Sequence, residues 1–304
     1  MMNAKKVNWI FLAIVLLNIA LVVLLLVVYP VFELGIVSNL IVSQMIVLVP
    51  SLIGVLAARD NLIELAGFHK FKISSALMTV LFTFLFMPLV SLINLISMCF
   101  VDNAVAAVSG EILDTPFLVM LALMGILGPL SEELVCRGII YHGYKRTGTM
   151  MQALVLSSMI FALMHMNFNQ AAYAFVIGIA MVLLVEATGS IWSSILVHIT
   201  FNSQQVCLMY LVDYGEQQLM EAQDALTTDM MILAISVYLI IAAVTTSLAG
   251  CVLAWIAKNE KREDNLRAIW RTRKFKKEGK VITVPLLIAI VIVFFFMSLE
   301  LLLV

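Results

Sequence analysis

The sequence predicts an all-α fold, a polytopic transmembrane helical bundle, and three observations carry that prediction. The chain is 63% hydrophobic and 12% charged, far from the roughly one-half and one-quarter of soluble proteins. Its mean hydropathy is +1.10, and the apolar residues gather into segments long enough for helices that cross a ~30 Å hydrocarbon core. The basic residues, finally, fall into alternate connections between those segments, as the positive-inside rule requires.

Nine spans are expected, with eight as the rival count, near 9–29, 36–58, 73–100, 116–146, 149–166, 171–187, 190–211, 231–257 and 282–304. The first follows Lys5 and Lys6 and superficially resembles a signal peptide. It is longer than a typical signal core and lacks a small-x-small cleavage site, so a retained anchor is expected. Segment 116–146 counts once, because Gly125, Gly128 and Pro129 predict a bent or broken helix, not two complete crossings. The turn Glu186-Ala187-Thr188-Gly189-Ser190 separates the sixth span from the seventh, and an acidic, exposed connection at 212–230 precedes the eighth. No internal repeat, low-complexity stretch or soluble domain interrupts the pattern, so 1–304 reads as one integral membrane domain.

Threading nine spans from a cytoplasmic N-terminus places Lys5, Lys6, Arg59, Lys70, Lys72, Lys145 and Arg146 inside. The last inside loop, 258–280, holds ten Lys and Arg against four acids. Seventeen of the eighteen basic residues thus share one side, and the exception is Arg137. Asp102, Glu111, Asp114, Asp213, Glu216, Glu221, Asp224 and Asp229 fall on the other. The expected location is the cell membrane, multi-pass, with the N-terminus cytoplasmic and the C-terminus outside. The basic loop includes Leu266, Ile269, Trp270 and Phe275; it reads equally as an interfacial helix on anionic membrane lipid or as a solvated positive-inside loop. With a net charge of −1 that is segregated by side, a nucleic-acid partner is not expected. The cysteines, Cys99, Cys136, Cys207 and Cys251, show no CxxC spacing, so neither a disulfide framework nor a thiolate zinc site is implied.

Six residues stand out inside this apolar sequence: Glu132, Glu133, Arg137, His165, His198 and Asn202. A charge inside a bilayer costs several kcal/mol, roughly, unless it is paired, hydrated or part of a site. Glu133 and Arg137 stand at i and i+4, neighbours on one helix face suited to an ion pair. Glu132 is then rotated by about 100°, free to face a cavity as a general base. The plainer reading puts both acids in a solvated loop. His165 lies in Phe161-Ala162-Leu163-Met164-His165. Counted from the turn at 147–148, Glu132 and His165 sit roughly 21 and 24 Å deep on adjacent antiparallel helices, level enough to share a site. Alone, His165 would read as structural. His198 and Asn202 form another i, i+4 pair, able to donate hydrogen bonds to a developing oxyanion or to clamp two helices together. No HExxH helix, GxSxG elbow or GxGD signal is present, and Cys136 in apolar surroundings is a poor nucleophile.

Taken together, EExxxR at 132–137, FxxxH at 161–165 and HxxxN at 198–202 resemble the CPBP family, which groups type II CAAX prenyl endopeptidases with bacteriocin-processing and self-immunity (Abi) membrane proteins. Thr188-Gly189-Ser190-Ile191-Trp192, leading into His198, is similar to that family too. The resemblance covers about 116–207, the expected catalytic core. It implies an intramembrane endopeptidase in which Glu132 and His165 activate water, His198 and Asn202 form the oxyanion hole, and Glu133 and Arg137 support the site. Family members are often labelled metalloproteases: Glu132, His165 and His198 could hold zinc with an open position, and a metal-free Glu/His mechanism is equally compatible.

Two function classes follow. The leading one is hydrolysis of a membrane-associated peptide or protein substrate, a prenylated CAAX-type C-terminus or a peptide or bacteriocin precursor. The other is a non-proteolytic membrane scaffold or self-immunity protein that keeps the polar cluster as structure. A transporter fits less well, since paired repeats are absent.

Overall fold

The computed structural model describes residues 1–28, 34–212, 227–274 and 279–303, and the secondary structure among them is helical, without strands. We number the helices α1 (Ala4–Val28), α2 (Ile36–Ala58), α3 (Leu62–Ala66), α4 (Ile73–Ser97), α5 (Ser109–Asp114), α6 (Phe117–Thr147), α7 (Met150–Leu163), α8 (Phe168–Thr188), α9 (Ile191–Val212), α10 (Thr228–Asn259), α11 (Glu263–Arg271) and α12 (Val284–Leu303). Helices occupy all nine segments expected to span. Seven are long and apolar enough to cross a membrane, while the apolar stretches Met150–Leu163 and Val284–Leu299 are shorter. The acidic connection falls largely at 213–226, outside the described residues, as does Phe275.

The main departure from the expected spans is α7. Its 14 residues rise only about 21 Å, less than a full crossing requires. Met166 adopts a positive φ of 57°, and Asn167 caps α8 by accepting a hydrogen bond from the backbone N–H of Gln170 at 2.8 Å. The left-handed backbone at Met166 and the Asn167 cap thus start α8 ahead of the expected residue 171. His165 consequently lies on a half-buried turn within the bundle, not deep in a helix.

Helix α6 runs unbroken because it widens where Pro129 removes a donor. Residues Leu121–Leu127 and Leu134–Tyr141 are π-helical, a form that concentrates at functional sites. In the first of these turns the Gly128 N–H bonds to Leu123 O instead of Met124 O, and Pro129 offers Gly125 O no N–H. Helix α9 supplies both missing donors: Asn202 Nδ2 reaches Met124 O at 3.1 Å and Ser203 Oγ reaches Gly125 O at 3.2 Å. The approach needs Gly125, because a Cβ there would lie 2.8 Å from Ser203 Oγ and 3.3 Å from Ser203 Cα.

The basic connections gather at one end of the bundle. Met2 N–H bonds to Asp60 and Ala4 N–H to Thr147 Oγ1, Arg146 pairs with Asp60 at 2.8 Å, and Lys72 contacts Asn259. Glu186, 1% exposed, pairs with Lys145, accepts Tyr141 OH at 2.9 Å and Asn265 Nδ2 at 3.4 Å, and offers its backbone carbonyl to Arg262 Nε at 2.9 Å. Helix α11 lies at this end, with Ile269 buried and Trp270 62% exposed. The opposite end is tied by Asn169 to Asn94 and Ser97. Between the ends, α10 presents Ile232, Leu233, Leu239, Ile240 and Val244 on its exposed face, an apolar surface that suits lipid far better than water.

Burial opposes the charge on Asp60, yet the Met2 N–H and Arg146 outweigh it and hold the carboxyl below its ordinary range. A depressed folded-state value stabilises the fold above the unfolded carboxylate range and ceases to do so as pH falls through the folded value. Asp60→Asn is therefore expected to lower the thermal midpoint at neutral pH and to leave it unchanged in strong acid.

Candidate active site

Glu132 and Glu133 close the α-helical turn Gly128–Glu133, after which α6 widens for the second time. Glu133 is fully buried, and its Oε1 lies 2.6 Å from Arg137 NH1. The adjacency at i and i+4 therefore becomes an ion pair in a site 0–1% exposed. Arg137 also sits 4.2 Å over the Phe161 ring, a cation–π contact that suits a desolvated guanidinium.

The same Glu133 oxygen meets His198 Nδ1 at 2.9 Å. A carboxylate only accepts, so Nδ1 carries a proton and the ring is held in that tautomer. The other ring nitrogen, Nε2, faces Glu132 Oε2 at 3.9 Å. The two adjacent acids thus address opposite nitrogens of one imidazole. That outcome follows from their 100° rotation on the helix. Glu132 is 21% exposed at its side chain, while Glu133 is sealed.

His165 reaches this group through Phe161, whose ring stands edge-on to His165 at 5.2 Å and to His198 at 5.6 Å. Its Nδ1 bonds to Phe161 O at 2.9 Å, which fixes that nitrogen as the donor and turns Nε2 away from the backbone. Glu132 and His198 are the titratable side chains that interact with it electrostatically. Phe161 is therefore the apolar hub on which Arg137, His165 and His198 converge. Asn202 stands one turn beyond His198 and is tied to the π turn of α6 through Met124 O. One of its two amide protons is so engaged, and the other, without a partner among the described residues, can serve a ligand.

Two contributors escaped the sequence analysis. Gln44 on α2 donates from Nε2 to Glu132 Oε1 at 3.1 Å, and Ser131 donates from Oγ to Gln44 Oε1, with Gly128 O as its alternative acceptor at 2.9 Å. The legible signal for Gln44 is an amide inside the span 36–58, in step with Val47, Ser51, Val55 and Ala58, the buried stripe of α2.

The zinc option does not fit this geometry. Among the described residues no three His, Cys, Asp or Glu side chains are grouped so as to hold a metal ion. A separate polar cavity of about 190 Å³, lined by Glu64, His69, His142, Lys145, Glu186 and Arg262 among others, lies at the basic end and shares no residue with this cluster.

Because Gly125 sets the α6–α9 approach, Gly125→Ala is expected to cost about 1–3 kcal/mol by overpacking. It should also loosen Asn202 from Met124 O. Thermal unfolding and hydrogen exchange at the 124–125 turn measure the two effects.

Residues 114–204, which contain all six of the polar residues first singled out, match the family model described as type II CAAX prenyl endopeptidase Rce1-like. Comparison with the curated proteins and with the solved structures gives no match. The family is a protease family, and the similarity of residues 114–204 to it is in keeping with the resemblance that EExxxR, FxxxH and HxxxN suggest.

Proposed function

We propose that the protein is an intramembrane endopeptidase that hydrolyses a peptide bond near the prenylated CAAX-type C-terminus of a membrane-associated substrate. The observation that carries this reading is the grip of Glu132 and Glu133 on opposite nitrogens of His198, with His165 beside them. In this reading a water lies between Glu132 Oε2 and His165 Nε2. Glu132 takes its proton as the oxygen attacks the scissile carbonyl carbon. The carbonyl oxygen becomes an oxyanion that accepts hydrogen bonds from the second Asn202 amide proton and from His198 Nε2 when that nitrogen carries a proton. Collapse breaks the C–N bond, and Glu132 returns the proton to the departing amine. Glu133, neutralised by Arg137, holds the imidazole in orientation. By the positive-inside rule the end carrying Arg59, Lys72, Lys145 and Arg262 faces the cytoplasm.

Purified protein in lipid bilayers tests this on a farnesylated CAAX peptide beside its unprenylated counterpart. Wild type is expected to cleave the farnesylated peptide. His165→Ala should lose about 10²–10⁴-fold and Asn202→Ala about 10²–10³-fold in turnover. A chelator should leave the rate unchanged, since no three such donors are grouped among the described residues. Folded wild type that leaves the peptides intact would favour a scaffold.

A further inference from the structure

We infer that Gln44, outside the family-matched segment, is a positioning residue for Glu132: its amide anchors one carboxylate oxygen so that the other is presented to His198 and the attacking water. The inference rests on the endopeptidase reading above and adds a residue from α2 to it.

The geometry supports it from three sides. Gln44 Nε2 lies 3.1 Å from Glu132 Oε1, and Glu132 Oε2 is then left 3.9 Å from His198 Nε2. That gap is too long for a direct hydrogen bond, so this oxygen is not committed to the imidazole. The amide is itself oriented, because Ser131 Oγ donates to its oxygen end. Only with the oxygen turned to Ser131 does the NH₂ end face the carboxylate, where it donates to the ionised form that a general base requires. Gly128 lies beside the amide as well: a Cβ there would meet Gln44 Nε2 at 3.5 Å, ordinary contact. Besides Gln44, the charged and titratable groups around Glu132 include His198 on α9, His165 at the end of α7, and Glu133, Cys136 and Arg137 on its own helix.

The competing explanation is a plain interhelical clamp, since amides commonly join membrane helices. A clamp affects stability and leaves chemistry alone. A positioning residue affects kcat through Glu132 and spares substrate binding.

The experiment measures kcat, KM and the thermal midpoint on the farnesylated peptide for wild type, Gln44→Met, Gln44→Glu, Glu132→Gln and the double variant Gln44→Met/Glu132→Gln. Gln44→Met keeps the volume and loses the donor, and Gln44→Glu keeps the shape and replaces the donor by an acceptor. Both are expected to lower kcat by about ten- to a hundredfold with KM within about twofold. In the Glu132→Gln background, Gln44→Met should cause no further loss, because both substitutions remove the same function. Normal kcat in either folded Gln44 variant, with Glu132→Gln inactive, overturns the positioning role and leaves the endopeptidase reading standing. A kcat loss from Gln44→Met that is undiminished in the Glu132→Gln background likewise overturns it in favour of the clamp. No cleavage by folded wild type overturns the endopeptidase reading, and the positioning role with it.

Discussion

Arg137→Met is expected to destabilise the fold by about 3–5 kcal/mol, the cost of leaving one buried charge without its partner. Glu133 is fully buried and Arg137 is 1% exposed, so neither can recruit bulk water. Their single contact of 2.6 Å leaves Glu133 Oε2 and Arg137 NH2 without hydrogen-bond partners among the described residues. Further compensation comes from His198 Nδ1, the neighbouring Ser194 hydroxyl and the Phe161 ring. Removing the guanidinium exposes the full desolvation cost of the carboxylate, while removing both charges removes most of it. The double variant Glu133→Gln/Arg137→Met should therefore unfold at a higher temperature than Arg137→Met alone. Thermal unfolding in detergent or lipid compares the three proteins. A single variant as stable as wild type would show that water reaches Glu133.

The second large effect is on turnover. Glu132→Gln keeps the side chain's shape and its proximity to Gln44 but cannot take a proton from water. A loss of about 10²–10⁴-fold in kcat is expected, the usual contribution of a positioned general base, with KM and the thermal midpoint nearly unchanged. Glu133→Gln should behave differently. It weakens the hold on His198 and leaves Arg137 unneutralised, so stability and turnover fall together. The contrast between neighbouring acids is the expected signature of one carboxylate at 21% exposure and one at zero.

Much of this arrangement was legible because helix geometry is periodic. The i, i+4 spacing of Glu133 and Arg137 requires only a helix, and a bilayer makes the pairing of buried opposite charges compelling. The nine apolar segments were legible for the same reason: the bilayer fixes the length of a crossing. What escaped depends on hydrogen-bond register and on packing between distant segments. The π turns of α6 arise where Pro129 deprives Gly125 O of a donor, and only the neighbouring helix decides that Asn202 and Ser203 will replace it. The shortness of α7 depends on Met166 accepting a left-handed backbone and on Asn167 capping α8, signals weaker than the surrounding hydropathy. Gln44 stands 88 residues from Glu132, and no local pattern joins them. The depth comparison between Glu132 and His165 sets the two level, while their common neighbour Phe161 emerges as a hub only from ring contacts.

The most direct measurement of the central claim is mass spectrometry of a farnesylated CAAX peptide after incubation with purified wild type and with Glu132→Gln in H₂¹⁸O. Wild type should release a shortened prenylated peptide whose new carboxylate carries one ¹⁸O from the attacking water, and Glu132→Gln should release essentially none. Equal release by the two proteins, or an intact peptide with folded wild type, would contradict a Glu132-driven hydrolysis in this bundle.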